Sequence, residues 1–179
     1  MFYELRILKI NLKLRNKMNA FIKFLRESDE KKGSYAAVKF SDKTNEEIIN
    51  FIIKSGIPNS VDIKDIHCTL LYSTKYCPDL KLDYKLYEEA MPLEFTVFNS
   101  RNGKNFLVLK LESEFLKKRH NDLMKTHEAT YDFPEYIPHI TLSTDCGDFD
   151  VTKLNVSDLP GVFEINYEYS EDLNLNWGE

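Results

Sequence analysis

The sequence predicts a two-lobed protein in which each lobe combines β-strands with an α-helix. The pattern His-x-Thr-Leu occurs twice, at His67–Leu70 and at His139–Leu142. Each copy follows a predicted strand and a predicted helix, and the spacing repeats: Lys39 precedes the first histidine by 28 residues, and Lys110 precedes the second by 29. A repeated strand–helix–strand plan predicts two similar lobes related by a pseudo-twofold axis, with the two motifs facing each other across a cleft.

The composition bounds the class of protein. The chain has 179 residues, 42% of them hydrophobic and 30% charged, which is typical of a globular domain with a hydrophobic core. A net charge of −5 argues against binding of long nucleic acid through its phosphates, but it allows a small anionic ligand in a local basic pocket. Three cysteines without a Cys-x-x-Cys pair favour a reducing compartment. Because no apolar run has the length of a membrane span, we predict a cytoplasmic protein without membrane contact, and the sequence implies no obligate protein partner.

A basic leader precedes the lobes. Residues 1–17 carry a local charge of +4 on a chain that is otherwise acidic. An amphipathic stretch follows Met18, which is an alternative native start. We assign residues 1–32 to a basic N-terminal extension with an amphipathic helix, and residues 33–179 to a single two-lobed domain. A solvated tail or a short packing helix accounts for the leader, whose role the sequence leaves open.

Local sequence patterns predict the strands and helices of each lobe. The first lobe is predicted to contain a strand at 35–40, a helix opened by the capping box Thr44-x-x-Glu47 and ended by Gly56, and a strand at 66–72 that carries the first motif. Residues 73–91 form a long connection. The second lobe is predicted to contain strands at 93–98 and 106–111 joined by an Asn102-Gly103 turn, a helix at 113–129, the second motif strand after Pro138, and a last strand at 162–169.

The motifs themselves point to phosphodiester chemistry. On a strand, His67 and Thr69 share one face while Cys68 turns to the other, and His139 and Thr141 separate from Ile140 in the same way. Two imidazoles facing one substrate can serve as general base and general acid, and the threonine hydroxyls can donate hydrogen bonds to the phosphate oxygens. No further ligands stand at metal-binding spacing near either motif, so we predict a metal-independent reaction without a cofactor.

A purely structural role is the alternative interpretation for several of these residues. One His-x-Thr-Leu alone is more often structural than catalytic, and only the pair in matching places favours an active site. Cys68 is predicted to be a core residue. His120 and His127 lack a following threonine and share a helix face with leucines, so we predict packing or surface roles for both.

The paired motifs resemble those of the 2H phosphoesterase superfamily, and the surrounding sequence is most similar to its bacteriophage anti-CBASS branch. The similarity rests on residues 33–40 (GSYAAVKF), the first motif with its continuation to Tyr76, residues 118–143 around the run YDFPEYIPH, and the tail 171–177 (EDLNLNW). The resemblance implies a bilobal α+β fold. It also implies an enzyme that cleaves the 3′-5′ linkages of cyclic di- and trinucleotide immune signals, such as cyclic GMP-AMP, and so lets a phage evade host CBASS defence in the host cytoplasm.

The resemblance also assigns roles to the motif residues. It implies His67 and His139 as the acid–base pair, Thr69 and Thr141 as phosphate binders, and the substrate's own 2′-hydroxyl as the attacking group. The sequence does not indicate which histidine is the base. It also leaves open the preferred nucleobases and ring sizes and the oligomeric state.

Beyond the motifs, physical reasoning adds three candidate substrate-binding residues. Tyr35 can stack on a base and Lys39 can meet a phosphate, since both share a strand face, and Trp177 is a candidate stacking lid. For each of these, a surface or packing role is the alternative. Two other functions remain open: an RNA 2′,3′-cyclic phosphodiesterase or RNA-processing 2H enzyme, and a non-catalytic nucleotide sponge.

Overall fold

The computed structural model describes residues 32–100 and 102–175, within which Gly33–Leu173 form one compact unit. Its elements are β1 (Lys32–Phe40), α1 (Asp42–Ser55), β2 (Cys68–Ser73), β3 (Glu88–Asn99), β4 (Asn105–Glu112), α2 (Glu114–His127), β5 (His139–Ser143) and β6 (Phe163–Asn174). Short 3-10 helices lie at Ile63–Asp65, Val151–Lys153 and Val156–Asp158. The basic leader and Trp177 lie outside the described residues.

The predicted strand–helix–motif strand plan is present in both halves of the chain. β1, α1 and β2 form one copy, and β4, α2 and β5 form the other. The two copies share one sheet, which closes on itself in the order β1-β2-β5-β4-β3-β6. The two motif strands, β2 and β5, are therefore neighbours in the sheet.

Both helices begin at a serine cap. The Ser41 hydroxyl accepts a hydrogen bond from the Thr44 amide at 3.3 Å, and α1 ends where Gly56 adopts the left-handed conformation at φ 65°. The predicted capping box placed the helix start at Thr44, and this was wrong by about one turn, because Ser41 caps the helix and Thr44 lies inside it. Ser113 caps α2 in the same way, with the Leu116 amide as donor.

A β-bulge lies at the leucine of each motif. In the β1–β2 pair, Thr69 faces Ala37 and Leu71 faces Ala36, so Leu70 is an extra residue without a partner. In the β4–β5 pair, the register steps from Thr141 to Ser143, which leaves Leu142 as the extra residue. A bulge reverses the alternation of faces, so the leucine and its successor are both buried in each copy. The two motifs thus share an irregularity as well as a sequence.

The core lies on the side of the sheet opposite to the motif histidines. It is formed by fully buried aliphatic and aromatic side chains from the strands and from both helices, including Phe40, Ile48, Leu70, Leu109, Leu116, Ile140 and Phe163. Cys68 is also fully buried, as predicted, and burial raises the pKa of its thiol to about 12. A thiol in that environment stays protonated and behaves as a small apolar group.

Candidate active site

The first motif holds its histidine at the start of a strand. His67 immediately precedes β2, rather than lying within it as predicted, and its Nδ1 donates a hydrogen bond to the carbonyl oxygen of Asp65 at 2.6 Å. Since a carbonyl oxygen only accepts, this bond fixes the proton of the neutral ring on Nδ1 and leaves Nε2 as the free nitrogen. Thr69 lies within β2, and its hydroxyl oxygen is 3.1 Å from the hydroxyl of Tyr35.

The second motif repeats this arrangement. His139 is the first residue of β5, and its Nδ1 donates to the carbonyl oxygen of Ile137 at 2.7 Å. The imidazole also meets the Phe98 ring edge to face, with centroids 5.1 Å apart. In both motifs the histidine is therefore oriented by the backbone two residues before it, and in both the Nε2 atom is left for chemistry.

Strand pairing brings the two motifs together. β2 and β5 are antiparallel and are paired at Cys68 and Ile140, both of which are fully buried. Side chains alternate along a strand, so the residues that flank this buried pair lie on the other face. The antiparallel direction then places Thr69 at the level of His139, and Thr141 at the level of His67. The four motif side chains, His67, Thr69, His139 and Thr141, therefore lie together on one face of the sheet.

The surroundings lower the pKa of both histidines. Burial is the main cause for His67, and the positive charges of Lys39 and His139 lower its pKa further, while the bond to Asp65 acts in the opposite direction. Burial is also the main cause for His139, again opposed by the backbone hydrogen bond. Both imidazoles therefore favour the neutral form near pH 7, as a general base must.

Tyr35 and Lys39 both lie beside the first motif. The Tyr35 ring meets the His67 ring edge to face at 6.0 Å, and burial raises the pKa of its hydroxyl well above the usual value. The Lys39 ammonium donates to the carbonyl oxygens of Lys64 and of Ile66, the latter at 3.1 Å. These contacts orient both side chains next to His67, as their predicted common strand face requires.

Three aromatic residues outside the motifs also surround this group, and none of them was predicted as a site residue. The ring centroid of Tyr169 in β6 lies 5.2 Å from the Lys39 ammonium nitrogen and 6.1 Å from the ring centroid of Tyr35. Phe98 of β3 contacts His139, and the Tyr136 hydroxyl donates to the carbonyl oxygen of Thr69 at 2.8 Å. Tyr169 lies in the last predicted strand, but its position beside β1 follows from the closure of the sheet, which local sequence patterns do not predict.

Within 32–100 and 102–175, no group of three or more His, Cys, Asp or Glu side chains is arranged to hold a metal ion. None of the helices in this part of the chain combines the length and the apolar character needed to cross a membrane.

Solved structures identify the fold. Escherichia coli LigT in its apo form superposes with a TM-score of 0.52 at 16% sequence identity, over 84% of this chain and 92% of LigT. The phosphate complex of LigT superposes with a TM-score of 0.51 at 15% identity, over the same shares. At this identity the likeness concerns the fold alone. It confirms the predicted fold class, a bilobal α+β fold that is 2H phosphoesterase-like.

Sequence relatives identify the family. The family model described as "Anti-CBASS protein Acb1" matches residues 32–179. The protein of that name from Acinetobacter phage Ac42 is 39% identical over 154 residues, which cover 84% of this chain and 97% of the relative. Its namesakes from Salmonella phage S16 and Enterobacteria phage T4 are 37% and 33% identical, over 84% and 82% of this chain and 95% and 92% of their own lengths. The chain therefore belongs to the anti-CBASS protein Acb1 family, as the resemblance in the sequence predicts.

Proposed function

We propose that this chain is a metal-independent phosphodiesterase that cleaves the 3′-5′ linkages of cyclic di- and trinucleotide immune signals. The observation that carries the proposal is the antiparallel pairing of the two motif strands at Cys68 and Ile140, which puts two imidazoles and two hydroxyls on one face. Membership of a family named for anti-CBASS proteins supports the choice of substrate. Such an activity removes the signal and lets a phage evade host CBASS defence.

The proposed reaction uses the two histidines for proton transfer. One neutral imidazole takes the proton of the substrate's 2′-hydroxyl through Nε2, and the 2′-oxygen forms a bond to phosphorus. The bond from phosphorus to the 5′-oxygen breaks, and the other histidine, protonated on Nε2, gives its proton to that oxygen. The products are an opened ring with a 2′,3′-cyclic phosphate and a free 5′-hydroxyl. The near-symmetric geometry allows either histidine to take either role.

The threonines and the rim residues complete the proposed site. Thr69 and Thr141 donate hydrogen bonds to the non-bridging phosphate oxygens, where negative charge concentrates in the transition state. Lys39 supplies a positive charge beside His67 on a chain whose net charge is −5. Tyr35, Tyr169 and Phe98 offer aromatic rings on which bases can stack. Trp177 stays a candidate lid.

The test is turnover of cyclic oligonucleotides by the purified full chain. Cyclic GMP-AMP and a cyclic trinucleotide are incubated with the wild type and with His67→Ala, His139→Ala and His127→Ala, and products are separated by chromatography. We expect the two motif variants to lose at least about 100-fold in rate, because each removes a proton-transfer group. His127→Ala serves as the matched control and keeps wild-type activity, since that histidine lies on α2 without a motif threonine.

The alternative functions are separate outcomes of this assay. Preferential turnover of a linear RNA with a 2′,3′-cyclic phosphate end would indicate an RNA-processing enzyme. Recovery of unaltered cyclic nucleotide bound to the wild type would indicate a sponge. Full activity of either motif variant would contradict the proposed mechanism.

A further inference from the structure

The edge of β2 that faces β5 carries two adjacent backbone carbonyl groups that a regular strand would not direct to the same side. Successive carbonyls of a strand normally point to opposite edges. The bulge at Leu70 changes this, because two residues of β2 then face one position of β1, and the carbonyls of Thr69 and Leu70 both turn away from β1. On that side lies β5, which is paired with β2 only at Cys68 and Ile140.

Side chains take the place of the missing strand partner. The Tyr136 hydroxyl donates to the Thr69 carbonyl oxygen at 2.8 Å, and His120 Nδ1 donates to the Leu70 carbonyl oxygen at 2.7 Å. Buried carbonyls need such partners, and here both donors come from the other half of the chain.

The two donors form one stacked unit. The His120 and Tyr136 rings are nearly parallel, at an interplanar angle of 4° with centroids 3.9 Å apart, and His120 is only 5% exposed. Tyr131 also belongs to the cluster, since its ring meets the His120 ring edge to face with centroids 4.9 Å apart, but its hydroxyl donates to the Glu135 carbonyl oxygen and not to β2. Two stacked rings with both polar groups committed to adjacent carbonyls have little freedom to turn.

The second motif is held differently. Its bulge residue Leu142 accepts a hydrogen bond from the backbone amide of Val61 at 3.1 Å. A backbone contact serves the second motif where side chains serve the first. The stacked pair therefore breaks the pseudo-twofold repeat at the point where Thr69 is positioned.

We propose that Tyr136, held in place by His120, is a positioning residue that fixes the Thr69 peptide, and with it the Thr69 hydroxyl, relative to His139. This inference rests on the proposed function, because it assumes that Thr69 binds the reacting phosphate. Tyr136 belongs to the segment that leads into β5, so its hydrogen bond to the Thr69 carbonyl joins that segment to the first motif beyond the single paired position of the two motif strands. Neither residue is a catalytic residue, since Tyr136 acts on the substrate through Thr69.

The test is a double-mutant cycle with a matched control. Tyr136→Phe removes the hydroxyl and keeps the ring that stacks on His120. With cyclic GMP-AMP, we expect kcat to fall about tenfold with KM within about twofold, as loss of one well-placed hydrogen bond predicts. In a Thr69→Val background, Tyr136→Phe should cause no further loss, because the residue through which it acts is already missing. Tyr131→Phe makes the same chemical change in the same cluster and should leave kcat unchanged.

A measurement without turnover separates this inference from the proposed function. In protein labelled at threonine methyl groups, Tyr136→Phe should shift the Thr69 resonance and leave Thr141 in place, whereas Tyr131→Phe should shift neither. An equal loss of kcat in the wild-type and Thr69→Val backgrounds, or an unshifted Thr69 methyl, would overturn the positioning role. A wild type that turns over no cyclic nucleotide would refute the proposed function instead, and the methyl spectra would still decide where Tyr136 acts.

Discussion

The hydroxyl of Tyr35 lies 3.1 Å from the hydroxyl oxygen of Thr69, so a residue of β1 orients the phosphate-binding group proposed for β2. The Tyr35 hydroxyl is protonated near neutral pH, and burial raises its pKa further above the ordinary tyrosine value. A protonated tyrosine can donate to the Thr69 oxygen, which frees the threonine proton for a phosphate oxygen. The contact therefore links a strand-face residue predicted from the sequence to one of the motif hydroxyls.

Tyr35→Phe should reduce kcat/KM for cyclic GMP-AMP by about three- to tenfold, because a single hydrogen bond contributes about 0.5–1.5 kcal/mol. The ring and its edge contact with His67 remain, so the melting temperature should change little. Tyr72→Phe is the matched control, since Tyr72 pairs with Tyr35 across the strands and is 46% exposed. Equal losses in the two variants would contradict a specific role for the Tyr35 hydroxyl.

The pH dependence should reflect the lowered pKa values of both motif histidines. Their charged forms are disfavoured by burial, so each takes up its proton below the usual histidine pKa of about 6.5. The proposed reaction needs one neutral and one protonated imidazole, which predicts a bell-shaped profile of kcat/KM with its maximum below about pH 6.5. The rate should fall towards alkaline pH as the general acid loses its proton. Steady-state kinetics between about pH 4.5 and 8.5, with circular dichroism to confirm folding, measures this. A rate that rises steadily above pH 7 would contradict the proposed roles of His67 and His139 as general base and general acid.

Much of this arrangement could be predicted from the sequence, and the limits have physical causes. Strand alternation correctly separated Thr69 from Cys68, because one face is buried and the side-chain period is two. The bulge after the threonine was not predicted, although two consecutive buried leucines at 70 and 71 are its signature. The pairing of Cys68 with Ile140 was also beyond local pattern, since contacts between residues so distant in the chain depend on the whole topology. For the same reason nothing in the sequence placed His120 against β2.

Removal of divalent metal should leave the activity unchanged. Each motif histidine already commits Nδ1 to a backbone carbonyl, and the proposed mechanism uses the remaining Nε2 for proton transfer. In that mechanism the threonine hydroxyls stabilise the phosphate charge by hydrogen bonding, a task that a metal ion performs in other phosphodiesterases. Turnover of cyclic GMP-AMP in excess EDTA should therefore match turnover without it. A loss in EDTA that a divalent ion restores would indicate different chemistry.

The buried ion pair between Arg119 and Glu168 should be the most sensitive electrostatic contact in the compact unit. Glu168 of β6 is fully buried, and its carboxylate accepts from the Arg119 guanidinium at 2.6 and 2.7 Å and from the Asp83 amide at 2.9 Å. The contact joins β6, α2 and the connection before β3, one residue from Tyr169. Breaking a buried pair costs about 3–5 kcal/mol, and removal of the Glu168 carboxylate should cost an amount at the lower end of this range, because the Arg119 side chain that remains is 20% exposed.

Glu168→Gln should therefore lower the free energy of unfolding by about 3 kcal/mol. Glu94→Gln makes the same change in a pair of similar length, because Glu94 accepts from Lys110 at 2.7 Å, but its side chain is 56% exposed. An exposed pair contributes about 0–1 kcal/mol, since water screens it, so the control should stay close to the wild type. Urea unfolding followed by circular dichroism measures both variants. If Glu168→Gln proves no more destabilising than Glu94→Gln, burial does not strengthen this pair, and another contact must hold β6 and Tyr169 beside the first motif.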